Sequence, residues 1–207
     1  MARTILVTGF GPFPGAPFNP TGPLVKRLER LRRPALVGVT IASHVFRTGY
    51  ADVDRDLPRL IDRHRPDALL MFGLHGRAKA IRIETRARNT LALLPDAGGK
   101  SLRRGAIAKG RPPTLMMPAP ARQLLAAVRQ TGTAAMLSRD AGRYLCNYLC
   151  WRAIEAAAKK GGPRLAAFIH VPNVARVARR KTKRRPLTLD DLTRAGSALL
   201  ASLARHV

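Results

Sequence analysis

Ala134-Ala-Met-Leu-Ser138-Arg-Asp-Ala-Gly142-Arg-Tyr-Leu-Cys146-Asn147 is the stretch whose reading decides the fold. Ala134 to Leu137 is apolar and strand-like, the chain turns through glycine, and Gly142 to Lys160 reads as a helix. A strand feeding a helix in this way is half of a βα unit. The same stretch sets a thiol near the start of the helix, in the field of unpaired N–H groups that favours a thiolate. The thiolate is the nucleophilic form, and a free cysteine supplies only a few per cent of it near neutral pH. A general base is therefore needed elsewhere in the chain.

Working outward, strands and helices alternate. Thr4 to Thr8 reads as a short buried strand, followed by a Gly/Pro/Phe-rich loop from Gly9 to Pro20. Thr21 to Arg32 has helical spacing, with Leu24, Leu28 and Leu31 on one face. Ala35 to Val45 is strand-like, Tyr50 to His64 helical despite Pro58, and Asp67 to Phe72 a buried strand ending at Gly73. Ile81 to Asn89 alternates Ile81, Ile83, Thr85 and Ala87 against Arg82, Glu84, Arg86 and Arg88, which predicts one strand with a polar face. Pro95 to Pro113 reads as loop with a short hairpin, Pro120 to Gln130 as helix, Leu165 to Ile169 as strand and Leu187 to Arg205 as a terminal helix. Asp190 and Asp191 in the first turn of that last helix suit its dipole. The pattern predicts an α/β fold: a single three-layer α/β/α domain over residues 1–207 with a mostly parallel mixed sheet. In such sheets sites gather outside the carboxyl ends of the strands, where Thr8, Leu137 and Ile169 all deliver the chain.

Composition narrows the class. A chain of 207 residues can bury roughly 70% of its unfolded surface. No apolar run approaches the length of a membrane span, and Met1-Ala-Arg-Thr-Ile-Leu-Val-Thr-Gly9 enters a strand at once without the pattern of a secretion signal. The two cysteines, Cys146 and Cys150, stand four residues apart on one predicted helix and cannot staple distant segments, so a reducing cytoplasm is expected. A formal charge of +26 keeps the surface soluble and attracts acidic ligands and polyanions. Arg176-Val-Ala-Arg-Arg-Lys-Thr-Lys-Arg-Arg185 is the densest basic block: a solvated loop, a phosphate-contacting patch or an oligomer contact. It lacks the interleaved aromatics that stack on single-stranded bases. Neither a zinc pattern nor a phosphate-cradling glycine fingerprint is present, so no metal and no cofactor is expected.

His170 closes the apolar run Leu165-Ala-Ala-Phe-Ile169 and so projects from a strand end, where it could serve Cys146 as base or simply be a hydrogen-bonded structural residue. Glu84 could orient the imidazole and stabilise its cation, or could only neutralise the arginines beside it. His75 is the competitor to His170, and Cys150 reads as a small buried hydrophobe.

Four segments together resemble the pyroglutamyl peptidase type I family of cysteine peptidases. Val7-Thr-Gly-Phe10-Gly-Pro-Phe13 with Asn19-Pro-Thr21 is similar to its opening loop. Gly73-Leu-His-Gly76, Ile81-Arg-Ile-Glu84 and Ala87-Arg-Asn89 follow its glutamate motif. Ser138 to Asn147 resembles its cysteine motif and Ala167-Phe-Ile-His170-Val-Pro172 its histidine motif. The resemblance implies Cys146 as nucleophile, His170 as base then acid, and Glu84 as orienting carboxylate. The reaction it implies removes an N-terminal pyroglutamyl residue from a peptide through a thioacyl-enzyme. Phe10, Phe13, Asn19, Tyr144 and Leu145 would contact the substrate ring, although Phe10 and Phe13 could equally be packing beneath a loop. The family also implies a homo-oligomer.

The chain departs from the family around Glu84. Arg82 stands where serine or threonine is usual, Thr85 where a basic residue is, and Arg86 and Arg88 where aliphatic residues are. The arginine-containing stretch downstream is replaced by Thr90-Leu-Ala-Leu-Leu94, His75 replaces a small residue beside Leu74 at a glutamine position, and Asp140 replaces a small or hydroxyl residue. These cations would hold Glu84 ionised and lower the basicity of His170. The changes bear on specificity, which leaves two other readings: a related amidase on another blocked or cyclic substrate, and a non-catalytic polyanion binder.

Overall fold

The alternation read from the sequence becomes a layered sheet whose pairing decides where the chemistry sits. A computed structural model describes residues 3–13, 15–92, 94–101, 105–175 and 187–207, so the basic block 176–185 lies outside the described residues. The elements are β1 (Arg3–Phe10), α1 (Thr21–Glu29), β2 (Val39–Phe46), α2 (Tyr50–His64), β3 (Ala68–Leu74), β4 (Ile81–Glu84) and β5 (Arg86–Arg88). They continue with β6 (Thr114–Met116), α3 (Ala121–Gln130), β7 (Ala135–Ser138), α4 (Leu145–Ala157), β8 (Leu165–Val171) and α5 (Leu189–Ala204).

The main sheet has the order β2-β1-β3-β8-β4-β7. All its pairings are parallel except β4 with β8. Because side chains alternate along a strand, each central strand feeds two cores. Leu70 and Phe72 of β3 join Leu24 and Leu28 of α1, Leu124 of α3 and Leu199 of α5 on one face. Leu69 and Met71 join Val53 and Leu57 of α2 and Leu149 and Trp151 of α4 on the other. The three-layer α/β fold with a mostly parallel mixed sheet is therefore what the chain adopts.

Several boundaries differ from the sequence reading, each for a physical reason. Pro34–Leu36 forms a 3-10 turn rather than the start of β2, since proline fixes φ and lacks an N–H for the ladder. The single strand predicted over 81–89 is two. Thr85 N–H and Thr85 Oγ1 both donate to Ser138 C=O at 2.8 Å, which pins the chain there before it leaves the main sheet. Beyond that pin, β5 pairs antiparallel with β6, a three-residue strand too short to read from pattern. Helix α4 begins at Leu145 rather than Gly142, because Gly142 has φ +82° and belongs to the turn. β8 runs on to Val171, so His170 lies within the strand. At the N-terminus of α5, Thr188 and Asp191 form a reciprocal capping box.

The largest difference is one of direction. The antiparallel pairing to β8 turns β4, and with it β7, against the other strands. The chain after Leu137 therefore leaves toward the end of the sheet opposite to that where β1 and β8 finish. The site is built on a face of the sheet near its rim, not by three strands ending at one edge.

Candidate active site

Strand register lays out the surroundings of His170. Its partner across β3 is Gly73, and its partner across β4 is Arg82. Residues two apart on a strand share a face, so Glu84 is the diagonal neighbour of His170 and within reach of a long side chain. His170 Nδ1 lies 2.8 Å from Glu84 Oε1. Both side chains are buried, with Glu84 1% and His170 3% exposed.

Gly73 makes room for the third group. A Cβ built there would stand 2.8 Å from Cys146 Sγ and 2.7 Å from Phe168 Cζ, so only glycine lets the sulfur sit over the strand beside His170. Cys146 is the second residue of α4 and partly exposed, and its sulfur lies close enough to His170 to act on the imidazole electrostatically. With Nδ1 committed to Glu84, Nε2 is the ring nitrogen left for the sulfur.

The N-terminus of α4 is left open. Tyr144 precedes it without a side-chain cap, and the first backbone bond is Tyr148 N–H to Tyr144 C=O at 3.0 Å. Among the described residues the amides of Leu145, Cys146 and Asn147 meet no acceptor, so positive ends of N–H dipoles converge beside the sulfur. Asn147 anchors this end: its Oδ1 accepts from Arg88 N–H at 2.8 Å, and its Nδ2 donates to Arg88 C=O at 2.8 Å and Thr90 C=O at 3.2 Å.

The electrostatics fit a base coupled to a carboxylate. Burial pulls the His170 imidazole down, but the Cys146 sulfur and then Glu84 outweigh it and raise His170 to about 9. Burial likewise pushes the Glu84 carboxyl up, while the hydrogen bond and charge of His170, with Ser138 and Arg82 behind them, hold it below the usual range. Ser138 acts on Glu84 by proximity, since Glu84 Oε2 has no partner in hydrogen-bond geometry. The net shift of His170 is thus upward, where the sequence reading expected nearby arginines to lower its basicity. Of those arginines only Arg82 approaches the pair, its Nε 3.8 Å from Glu84 Oε1. Arg86 turns away to Arg139 C=O at 2.8 Å, and Arg88 pairs with Asp140 at 3.5 Å.

The five residues expected at the substrate ring do not line one cavity. Phe10 is buried with its ring 5.8 Å from Phe46. Asn19 is buried and locks the opening loop, donating to Gly11 C=O at 3.1 Å and accepting from Thr21 N–H at 3.1 Å and Thr21 Oγ1 at 2.9 Å. Leu145 is buried in the core beneath the site. Tyr144 is half-buried, its hydroxyl donating to Pro95 C=O at 2.9 Å and its ring edge-on to Tyr50. Phe13 does line an open cavity of about 580 Å³, with Phe18, Leu74, His75, Arg77 and Asn173. That cavity adjoins the imidazole through His75, whose ring centroid is 5.5 Å from that of His170. A larger hollow of about 800 Å³, between α2 and α4 and lined by Asp54, Leu57, Ile61 and Arg152, contains none of Cys146, His170 and Glu84.

Gly73, Ser138 and Asn147 were not assigned roles by sequence reasoning. Only Gly73 left a signal, a glycine ending an apolar strand. Cys150, four residues beyond Cys146, is fully buried, and burial pushes its thiol well above the ordinary value. Among the described residues no three His, Cys, Asp or Glu side chains gather as metal ligands, and no helix is long and apolar enough to cross a membrane.

Comparison with known proteins agrees with this geometry. A family model described as pyroglutamyl peptidase matches residues 3–202. The pyrrolidone-carboxylate peptidase of Pyrococcus furiosus is 31% identical over 171 residues, covering 82% of this chain and 81% of that protein. The protein of the same name from Pseudomonas fluorescens is 33% identical over 174 residues, covering 82% of this chain and 78% of its own. Among solved structures, the pyrrolidone carboxyl peptidase from Thermococcus litoralis superposes with a TM-score of 0.89 at 25% identity, over 99% of this chain and 94% of that one. By sequence and by fold, the chain belongs to the pyroglutamyl peptidase family.

Proposed function

We propose that this chain is a cysteine peptidase that removes N-terminal pyroglutamyl residues from peptides, with Cys146, His170 and Glu84 as its reacting and orienting groups. The observation that carries the reading is the 2.8 Å contact between His170 Nδ1 and Glu84 Oε1 beside a sulfur at an uncapped helix start. His170 Nε2 holds the proton of the thiol, and the sulfur attacks the exocyclic carbonyl of the pyroglutamyl residue. A C–S bond forms, and the negative charge that develops on oxygen is met by the amides at the start of α4, that of Cys146 first. The intermediate collapses as the C–N bond breaks and His170 gives its proton to the departing amine. Water then attacks the thioester with His170 taking its proton, the C–S bond breaks, and pyroglutamate leaves. Glu84 keeps Nδ1 protonated and stabilises the imidazolium throughout.

Pyroglutamate is a small uncharged ring with one N–H and one lactam carbonyl, which suits apolar walls and backbone partners. Phe13 and Tyr144, the two half-buried members of the expected set, serve as contacts in this reading, while Phe10, Asn19 and Leu145 shape the loop and turn that present them. The three groups work within residues 1–207 as one domain. A cytoplasmic setting follows from two unpaired cysteines, one of them required as a thiol. Assembly is into a homo-oligomer, and the +26 charge draws acidic peptides and polyanions to the surface in a salt-dependent way.

The test is turnover of a fluorogenic pyroglutamyl amide before and after thiol alkylation. Turnover abolished by alkylation and by Cys146→Ser, with folding intact, is the expected result. Salt-sensitive binding of nucleic acid by a folded protein without turnover would overturn it in favour of a polyanion binder.

A further inference from the structure

Arg82 is the residue around the imidazole that the reaction does not use. It faces His170 directly across the β4–β8 pairing, and its guanidinium reaches three ways. Nη2 donates to Ser138 Oγ at 2.8 Å, Nη1 meets His75 Nε2 at 3.2 Å, and Nε stands 3.8 Å from Glu84 Oε1. A guanidinium can only donate, so His75 Nε2 must accept, and His75 carries its proton on Nδ1. Burial first, then His170 and Arg82, hold His75 below its ordinary value, so it stays neutral where an enzyme of this kind works. The neutral ring is held at Nε2 by Arg82 and stands nearly perpendicular to His170, at 87°.

We propose that Arg82 is a positioning residue for the Glu84–His170 pair, holding Glu84 from one side and bracing His75 against the imidazole from the other. This rests on the proposed peptidase reading of the site. The structural reason is the planar fork: one guanidinium joins β7 through Ser138, the end of β3 through His75, and its own strand through Glu84. The imidazole is thereby faced by Glu84 and Arg82 from β4, Cys146 from α4 and His75 from the end of β3, with the uncharged ring of Phe168 at 5.1 Å. A fixed cation lowers the proton affinity of every group beside it. Removing it raises the proton affinity of Glu84 and His75, which it touches, and of the imidazole they face.

The experiment compares Arg82→Gln and Arg82→Lys with the wild type. It reads the pH dependence of Cys146 alkylation by iodoacetamide, kcat and KM on a fluorogenic pyroglutamyl amide, and urea unfolding as the control for folding. Arg82→Gln is expected to move the inflection of the alkylation profile that reports the imidazole upward by about half a unit to one unit. Its kcat should fall about tenfold with KM little changed, the mark of lost orientation at the reacting centre. Arg82→Lys keeps the charge without the fork, so its inflections should stay in place while kcat still falls. A folded Arg82→Gln protein with wild-type inflections and wild-type kcat overturns the proposal. Should that variant fail to fold, a folded Arg82→Lys protein with wild-type kcat overturns it, because one ammonium cannot join Ser138 and His75 together. Alkylation needs no substrate, so a wild type inert on the pyroglutamyl amide would sink the peptidase reading while the profile still reports on Arg82.

Discussion

Glu84→Gln isolates the charge that the site places beside its base. The substitution keeps the shape of the side chain, and an amide oxygen can still accept from His170 Nδ1, so the neutral imidazole should remain oriented. What disappears is a full negative charge whose oxygen lies 2.8 Å from that nitrogen. At an effective dielectric of about 20, unit charges about 4 Å apart interact by about 4 kcal/mol. That is equivalent to about three pKa units, an upper bound because the amide dipole replaces part of the interaction. Arg82 stays in place and now acts on His170 without a carboxylate between them. His170, raised to about 9 in the wild type, should therefore drop to about 7. Its folded-state proton is needed for the departing amine, so the basic limb of the pH–kcat/KM curve should move down by about two units. At pH 8 the variant should lose about tenfold in kcat/KM from this shift, approaching about a hundredfold above pH 10 and little at pH 6. The assay is the pH profile of a fluorogenic pyroglutamyl amide, with urea unfolding to show that the fold survives. A folded Glu84→Gln protein whose basic limb stays where the wild type has it would refute the coupling of Glu84 to His170.

Three further outcomes follow from the packing. Gly73→Ala puts a methyl 2.8 Å from Cys146 Sγ and 2.7 Å from the buried Phe168 ring, which should cost about 1–3 kcal/mol in urea unfolding and reduce turnover beyond that loss by displacing the sulfur; wild-type kcat would contradict the placement of Cys146. Asn147→Ala removes three hydrogen bonds from α4, two to Arg88 of β5 and one to Thr90 beyond it, and should destabilise the protein by about 2–4 kcal/mol, read by urea unfolding, since the Arg88 N–H and C=O are left unpaired. Native protein should show one thiol that reacts quickly with a disulfide reagent and a second only after denaturation, because Cys150 is fully buried; two fast thiols would show that the core around α4 opens.

Cys146, His170 and Glu84 could be picked out as candidates because each stands at or next to the end of an element with a clear pattern. The apolar run into His170, the glycine turn into Cys146 and the alternation around Glu84 are local signals. Their arrangement was not local. The antiparallel pairing that reverses β4 and β7 is decided by which strand edge the chain meets, and no periodicity in four residues reports it. The predicted strand over 81–89 broke at Thr85 because Ser138, 53 residues away, captures its N–H and hydroxyl. The brace formed by Arg82 and His75 was hidden for the same reason: cross-strand neighbours are set by register, so a departure from the family pattern looked like a change in charge alone. The surroundings of the expected ring contacts were not legible: Leu145, chosen beside Cys146, packs in the core, and Asn19, chosen on the resemblance of the opening loop, bonds within that loop.

The central claim is that Cys146 carries the acyl group, and rapid quenching during turnover of a pyroglutamyl ester, followed by peptide mass mapping, tests it directly. The account predicts a pyroglutamyl adduct on the peptide containing Cys146, forming and decaying at rates consistent with turnover and absent from Cys146→Ser. Steady turnover with no adduct on that peptide, persisting in a folded Cys146→Ser protein, would contradict it.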